Sequence, residues 1–370
     1  MRIVHVVNSL GFGGAENLVI CMCKEMKDRG HQVTIISLTD KVSYSHLIDR
    51  YQLNVVTLGF SGTIYNVPGL LLLCLKLRRQ IVKLKPDVIN SHIFLADLCS
   101  RLTRGSAAHV TTLHRDEPWW RQRSLLKRAK CKLEAISSRR SSQAFIAVSK
   151  FAMTEAVSCL GIQRQQCCVI DNGVDVQRFS PAQEQARGRP IILQVGRFYP
   201  EKAHKVSLTA FKRLLQDIDC ELWFVGDGPL LEETRAQAES LGITDHVCFL
   251  GGQSNVESFY RQATISWLPS YREGLPIVLL EAMACGLPVI ASAVGAIPRL
   301  VKHQQTGVLI DAANEAQLLS ATRGLLQDEK LRADLSQAAR ENVVNNFSIR
   351  ATSDEYLKSY QHVLTQSFNE

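Results

Sequence analysis

No stretch of this sequence stays apolar for the ~18 residues that a membrane-spanning helix needs. The longest candidate, Leu70 to Leu75, is cut short by Lys76, Arg78 and Arg79 and reads as a helix packed on a sheet. The opening MRIVHVVNSL lacks the small-residue cleavage pattern of a signal peptide, so neither export nor membrane spanning is expected. Cys-x-x-Cys spacing is missing as well. The 11 cysteines are odd in number and scattered, and the close pairs, Cys21 with Cys23 and Cys167 with Cys168, have neither zinc nor redox spacing. They read as small core residues of a protein in a reducing cytoplasm, peripheral at most on the inner face of the plasma membrane. With 46% hydrophobic and 21% charged residues, the composition of a disordered chain is also absent.

What is present suits two α/β domains, because 370 residues exceed one small core. Strand-like runs alternate with helix-length segments: IVHVV, VTIISL, DVINSH, HVTTLH and AFIAVS, then IILQVGRF, ELWFVGDG, HVCFLG, ISWLPS, PVIAS and GVLI. Such alternation predicts parallel sheets wrapped by helices. Between the two series, residues 172–189 are polar and broken by Asn-Gly, Ser-Pro and Arg-Pro, which marks a linker. Beyond about residue 312 the chain reads as helical, and Ala351, Tyr356, Leu357, Tyr360 and Val363 form an apolar stripe on the last helix.

The net charge of +8 is concentrated: residues 101–150 hold twelve Lys and Arg against three Asp and Glu. Within that segment residues 118–138 place Trp119, Leu125, Leu126, Ala129, Leu133 and Ile136 among basic residues. A basic amphipathic helix of this kind can lie on an anionic membrane surface, or can pack on its own domain with a solvated basic face. Nucleic acid is not expected as a partner, since no recognised reading motif accompanies the charge.

Residues 272–292, REGLPIVLLEAMACGLPVIAS, hold two carboxylates in an apolar setting. Pro276 suits the first helical position, Gly286 the position just past the end, and Pro288 stops any extension, so a helix is expected from Pro276 to Cys285. Its start, preceded by Glu273, Gly274 and Leu275, leaves backbone N–H groups to meet an anion, and Gly274 lets a phosphate come close. Glu281 falls about a turn and a half into the helix. A nucleotide sugar lying along the helix would use both carboxylates, its ribose on Glu281 and its sugar on Glu273. The plainer alternative makes Glu281 solvent-facing and Glu273 a charged cap.

This stretch resembles the E-x7-E signature of the retaining glycosyltransferases of family 4, group 1 type, which have the GT-B fold. GFGGAE at 11–16, PDVINSH at 86–92, TLH at 112–114, VIDNGVDVQRFSP at 169–181, VGRFYPEK at 195–202 and VGDGP at 225–229 extend the resemblance over nearly the whole chain. It implies an α/β architecture of two Rossmann-like domains facing a cleft. The first, 1–171, would bind the acceptor and be completed by a helix at 349–370 that crosses back; the second, 190–348, would bind the nucleotide sugar. Arg197 and Lys202 match the pair that holds the donor diphosphate and stabilises the charge of the leaving group in place of a metal. Glu273 would position the sugar, and His114 matches the family histidine near it. Gly226 and Gly228 would line the site after a strand, Gly274, Leu275 and Glu281 would complete donor binding, and Gly13 and Gly14 resemble the glycine loop that approaches the donor phosphate. His92 is kept as acceptor-side or structural, and Asn172 to Asp175 as a hinge turn.

The implied function is transfer of a sugar from a nucleotide-diphosphate sugar, a UDP-sugar foremost, to an acceptor hydroxyl on a glycan or lipid-linked precursor in polysaccharide synthesis, without cofactor or metal. Asp217 and Asp219 have the Asp-x-Asp spacing of metal-dependent transferases but read as a surface turn. The pattern departs in three places: Ala203 stands for a glycine, Asp171 for a proline and Arg299 for a glutamate. A sugar-nucleotide epimerase of the same fold and a non-catalytic partner subunit are the competing readings. An epimerase would need no acceptor, and a partner subunit would have no chemical need to keep Glu273, Glu281, Arg197, Lys202 and His114 together.

Overall fold

A computed structural model describes residues 1–62, 66–114, 125–182 and 188–367. The chain forms two compact units, Met1–Asn172 with Ile349–Glu370, and Gly173–Ser348.

In unit 1 the elements run β1 (Arg2–Val7), α1 (Gly14–Asp28), β2 (Gln32–Ser37), α2 (Ser45–Arg50), β3 (Asn54–Thr57), α3 (Val67–Leu84), β4 (Val88–His92), α4 (Phe94–Thr103), β5 (Ala108–Leu113), α5 (Leu125–Ser141), β6 (Ala144–Ala147), α6 (Lys150–Leu160) and β7 (Cys167–Val169). The strands are all parallel, in the order β3-β2-β1-β4-β5-β6-β7. Every residue of β4 and β5 is buried, as expected where helices cover both faces of a parallel sheet. Alternation along β1 sends Val4 and Val6 into the core beneath α3, with Leu73, Leu77 and Ile81, and sends His5 to the opposite face.

Unit 2 repeats the plan with β8 (Ile191–Val195), α7 (His204–Leu214), β9 (Glu221–Val225), α8 (Leu231–Ser240), β10 (Val247–Phe249), α9 (Glu257–Gln262), β11 (Ile265–Leu268), α10 (Ile277–Ala284), β12 (Val289–Ser292), α11 (Ile297–Leu300), β13 (Val308–Ile310), α12 (Glu315–Gln327) and α13 (Glu329–Asn346). Its strand order is β10-β9-β8-β11-β12-β13, again parallel. Each sheet therefore reverses its winding at one place, between β1 and β4 in unit 1 and between β8 and β11 in unit 2. In open parallel sheets ligands bind at such reversals, beyond the carboxyl ends of the strands.

The last helix, α14 (Ile349–Ser367), belongs to unit 1 and packs on α1 and β5. Tyr356, Leu357, Tyr360 and Val363 are buried as the stripe predicts, but Ala351 is exposed. Thr352 and Ser353 are buried instead, with the Thr352 hydroxyl donating to the Asp171 carbonyl. Small polar residues at a helix start escape an apolar-pattern reading.

The expected linker is only partly a connection. Residues from Gly173 are built into unit 2: Val174 donates its N–H to Phe347, and Phe179 is fully buried. Three guanidinium groups hold the segment. Arg261 donates to the carbonyls of Arg178 and Ser180, Arg340 to those of Val176 and Phe179, and Arg178 pairs with Glu257 at 2.8 Å. Charged side chains satisfying backbone carbonyls leave no apolar period to read.

Helix α3 packs on the sheet as expected, but on one side only. Leu73 and Leu77 pack on the sheet, but Val67, Leu71, Leu72, Leu75 and Val82 are exposed, Leu71 by 62%. Helix α5 covers part of the basic segment, with Leu126, Leu133 and Ile136 exposed beside Lys127, Arg128 and Lys132. Trp119 and the rest of that expected helix before residue 125 lie outside the described residues. Among the described residues no helix is long and apolar enough to cross a membrane.

Candidate functional site

The loops after β8 and β11 flank the winding reversal of unit 2, and they carry Lys202 and Glu273. Their side chains meet: Lys202 Nζ lies 2.5 Å from Glu273 Oε1, with 15% and 8% of the two side chains exposed. The Ser270 hydroxyl donates to the same carboxylate oxygen at 2.7 Å. A backbone bond welds the loops together, Tyr271 N–H donating to the Glu201 carbonyl at 2.8 Å, while the Gln194 side-chain amide on β8 holds the first loop by donating to the Lys202 carbonyl at 2.9 Å. Arg197, on the same loop as Lys202, is exposed with its guanidinium 4.9 Å from the centre of the Tyr199 ring.

Glycines make this crowding possible. Gly226 has φ +152°, and a Cβ there would collide with the Gly196 carbonyl oxygen; at Gly228 it would lie 2.7 Å from backbone atoms of Phe198. The VGDG turn after β9 therefore rests directly on the backbone of the Arg197 loop. Across the reversal, Gly295 has φ +58° and a Cβ there would collide with the Glu273 carbonyl, while Ala296 N–H donates to the Gly274 carbonyl at 3.1 Å. At Ala203 the backbone shows why glycine is the residue of the resembling pattern, and the alanine is strained. It has φ +54°, the left-handed region where glycine is unstrained and an alanine costs about 1–2 kcal/mol.

Helix α10 begins at Ile277, with Pro276 one position earlier than expected, in extended conformation at the N-cap. Gly274 and Leu275 lie just before it, Leu275 buried. Glu281 is not solvent-facing: it is 4% exposed and accepts the Tyr260 hydroxyl at 3.1 Å. The structure thus joins Glu273 with Lys202 and sets Glu281 apart in the helix, on a tyrosine. Arg299 is exposed on α11. Asp217 pairs with Arg323, and Asp219 with Arg189 at 2.9 Å, so each carboxylate of the Asp-x-Asp pair has an arginine partner.

Beneath the Lys202 loop, His204 opens α7, stacked on Phe198 with ring centres 4.1 Å apart. Both its ring nitrogens are buried without a hydrogen-bond partner, and burial lowers its pKa to about 3.

At the winding reversal of unit 1, Gly13 caps α1 and Gly14 is its first residue; the Gly13 N–H faces the Tyr44 hydroxyl at 3.3 Å. Next to this loop in the sheet order, three imidazoles form a chain. His5 Nδ1 lies 3.0 Å from His92 Nε2, and His92 Nδ1 lies 3.0 Å from His114 Nε2. His5 and His92 are buried and His114, just past β5, is half-buried. Burial lowers the His5 pKa to about 3 and holds that of His92 well below the usual range, with His114 and His5 adding to the effect at His92. Ile93 follows His92 with φ +72° and ψ +147°, a strained conformation for a β-branched residue.

His5, Ser270, Gln194 and Tyr260 were not singled out from the sequence. His5 was findable, because period two in IVHVV puts a histidine between buried valines. Tyr260 and Ser270 carry no local signal. Among the described residues no three His, Cys, Asp or Glu side chains converge to hold a metal ion.

Comparison with known proteins places this geometry. A family model described as Glycosyltransferase Family 4 matches residues 12–178, and one described as Glycosyl transferases group 1 matches residues 175–342. An N-acetyl-alpha-D-glucosaminyl L-malate synthase of Bacillus anthracis is 33% identical over 48% of this chain and 47% of that protein, so the match spans about half the relative's length. A GDP-mannose-dependent alpha-(1-6)-phosphatidylinositol monomannoside mannosyltransferase of Mycolicibacterium smegmatis is 29% identical over 66% of this chain and 68% of its own length. Anabaena HepE, in its crystal structure with UDP-glucose, superposes with a TM-score of 0.84 over 97% of this chain and 100% of its own, at 19% identity. With both halves matched by adjoining models and both sheets in this arrangement, the chain belongs to the GT-B glycosyltransferases, family 4 in its N-terminal part and group 1 in its C-terminal part.

Proposed function

We propose that this chain is a retaining, metal-independent glycosyltransferase that moves a sugar from a nucleotide-diphosphate sugar, UDP-linked foremost, to an acceptor hydroxyl. The observation that carries the reading is the Lys202–Glu273 pair at the winding reversal of unit 2, with Arg197 on the same loop. A departing nucleoside diphosphate gains negative charge as the glycosidic bond breaks, and preorganised cations stabilise that charge. Lys202 and Arg197 are those cations, and Gly274 admits the phosphates to the start of α10. Glu273, released from Lys202 by the arriving diphosphate, positions the sugar. The UDP and UDP-glucose bound to HepE support the choice of base.

Unit 2 binds the donor and unit 1 the acceptor, a glycan or lipid-linked precursor. Cytoplasmic, peripheral membrane work is supported by the outer side of α3 and α5. There the leucines of α3 and Leu126, Leu133 and Ile136 of α5 are exposed among Arg78, Arg79, Lys83, Lys127, Arg128 and Lys132, while the sole carboxylate of α5, Glu134, is buried. Apolar side chains can enter the lipid interface while the cations meet headgroups.

A thermal-shift series with UDP, GDP, ADP and their sugars tests the donor. The expected result is a rise in Tm with UDP and UDP-sugars that Lys202→Met loses. No rise with any nucleotide at millimolar concentration would sink the transferase reading in favour of a partner subunit. Nucleotide release independent of any acceptor would instead favour an epimerase.

A further inference from the structure

We propose that Gln194 and Ser207 are positioning residues for Lys202: their hydrogen bonds hold the Lys202 carbonyl against α7, keep Ala203 in its left-handed conformation and so keep the Lys202 ammonium on Glu273. The inference rests on the reading above for its kinetic part only.

Gln194 stands near the end of β8, where period two puts it on the same face as Ile192. Ile192 packs there with Leu208 and Phe211 of α7, so an apolar residue is expected two positions on. The glutamine is 1% exposed, and burying an amide is costly unless its polar ends are bonded. Its Nε2 donates to the Lys202 carbonyl at 2.9 Å, and its Oε1 accepts the hydroxyl of Ser207, fully buried on α7, at 2.5 Å. A carbonyl only accepts, so the Lys202 end admits only the amide nitrogen, and the serine hydroxyl is obliged to donate at the other end. Strand, helix and loop are thereby tied in one direction.

The bonded carbonyl opens the peptide that leads into Ala203, and its carbon is one of the atoms that define φ of Ala203. That φ is +54°, which strains an alanine and leaves a glycine unstrained. Rotation about the Ala203 N–Cα bond relieves the strain, but it re-aims the turn Pro200–Lys202 relative to α7. The Gln194 and Ser207 bonds oppose that rotation, helped by the Ser207 N–H, which donates to the Ala203 carbonyl at 3.2 Å. With the turn held, the Lys202 stem runs past Gly196, where a Cβ would lie 3.6 Å from Lys202 Cδ, and the ammonium meets Glu273 at 2.5 Å.

The test uses variants of the full chain, each checked for folding by circular dichroism. Gln194→Met keeps the length and removes both bonds. Without ligand, Lys202 should then be acetylated by acetic anhydride about tenfold faster, read by mass spectrometry, and kcat/KM for the sugar donor should fall about tenfold, the worth of the lost hydrogen bonds. Gln194→Met/Ala203→Gly should recover most of both changes, because glycine keeps the left-handed turn without strain. A folded Gln194→Met with wild-type acetylation of Lys202 overturns the proposal, and so does a loss that Ala203→Gly leaves unrescued. Gln194→Glu carries a carboxyl that donates to the Lys202 carbonyl only when protonated, so its Lys202 acetylation relative to wild type should fall as the pH is lowered. If Gln194→Met does not fold, that profile decides, and a ratio flat with pH refutes the role. If no nucleotide sugar binds the wild-type chain, the donor reading fails while the acetylation result stands.

Discussion

Replacing Lys202 by methionine tests how the donor loops hold each other. The ammonium and the Glu273 carboxylate are 2.5 Å apart and largely buried. Removing one partner of a buried pair costs ~3–5 kcal/mol because the other charge is left without compensation. Glu273 keeps the Ser270 hydroxyl at 2.7 Å, which offsets about 1 kcal/mol. A net loss of ~3 kcal/mol remains, equivalent to a fall of ~6–12 °C in Tm for a unit of this size. The double variant Lys202→Met/Glu273→Gln removes both charges and should recover at least half of that loss. Thermal unfolding followed by circular dichroism measures the cycle, and sugar transfer measured alongside should be lost in both variants. If the double variant is no more stable than Lys202→Met, the two side chains do not couple and the welded-loop account is wrong.

Ala203→Gly should raise stability by ~1 kcal/mol by relieving a left-handed alanine, and a lowered urea midpoint would refute the strain. Gly226→Ala should destabilise unit 2 by ~2–4 kcal/mol and abolish nucleotide-induced thermal shifts, since its Cβ meets the Gly196 carbonyl. Tyr260→Phe should cost ~1–3 kcal/mol in urea unfolding by taking the hydroxyl from buried Glu281. His204 is neutral when folded, its pKa lowered from 6.5 to about 3, so its contribution is full above pH 6.5 and falls as pH drops toward 3. In His204→Phe the loss of stability between pH 6 and pH 5 should be shallower by ~1.4 kcal/mol per pH unit.

Alternating runs such as IVHVV and VTIISL declared the parallel sheets, because strands covered on both faces must be apolar throughout. Strands β3 and β7 were not anticipated: Asn54–Thr57 is short and half-exposed, and Cys167–Val169 has three residues. The donor loops could be read from their glycines and charges, but only as separate segments. That Lys202 meets Glu273, rather than Glu273 meeting Glu281 along the helix, depends on strand order, which brings residues 71 positions apart to one reversal. Glu281 left two readings open, because a carboxylate in an apolar helix looks the same in sequence whether solvent or a tyrosine receives it; its burial on Tyr260 removes the solvent-facing one. The packing of α3 on the sheet was legible but its exposed leucines were not, since a strongly apolar sequence does not reveal which side faces away from the sheet.

The return of α14 to unit 1 sets an order of events on the ribosome. Tyr356, Leu357, Tyr360 and Val363 are core residues of unit 1, yet they are made only after Ser348 closes unit 2. The second unit can finish while the first still waits with part of its core open. Nascent unit 1 thus exposes the apolar surface beside α1 for the time taken to make residues 173–348, and at ~5–20 residues per second that is tens of seconds at the slow end. Chaperone capture during synthesis should therefore centre on the older half of the chain and end when the last helix docks.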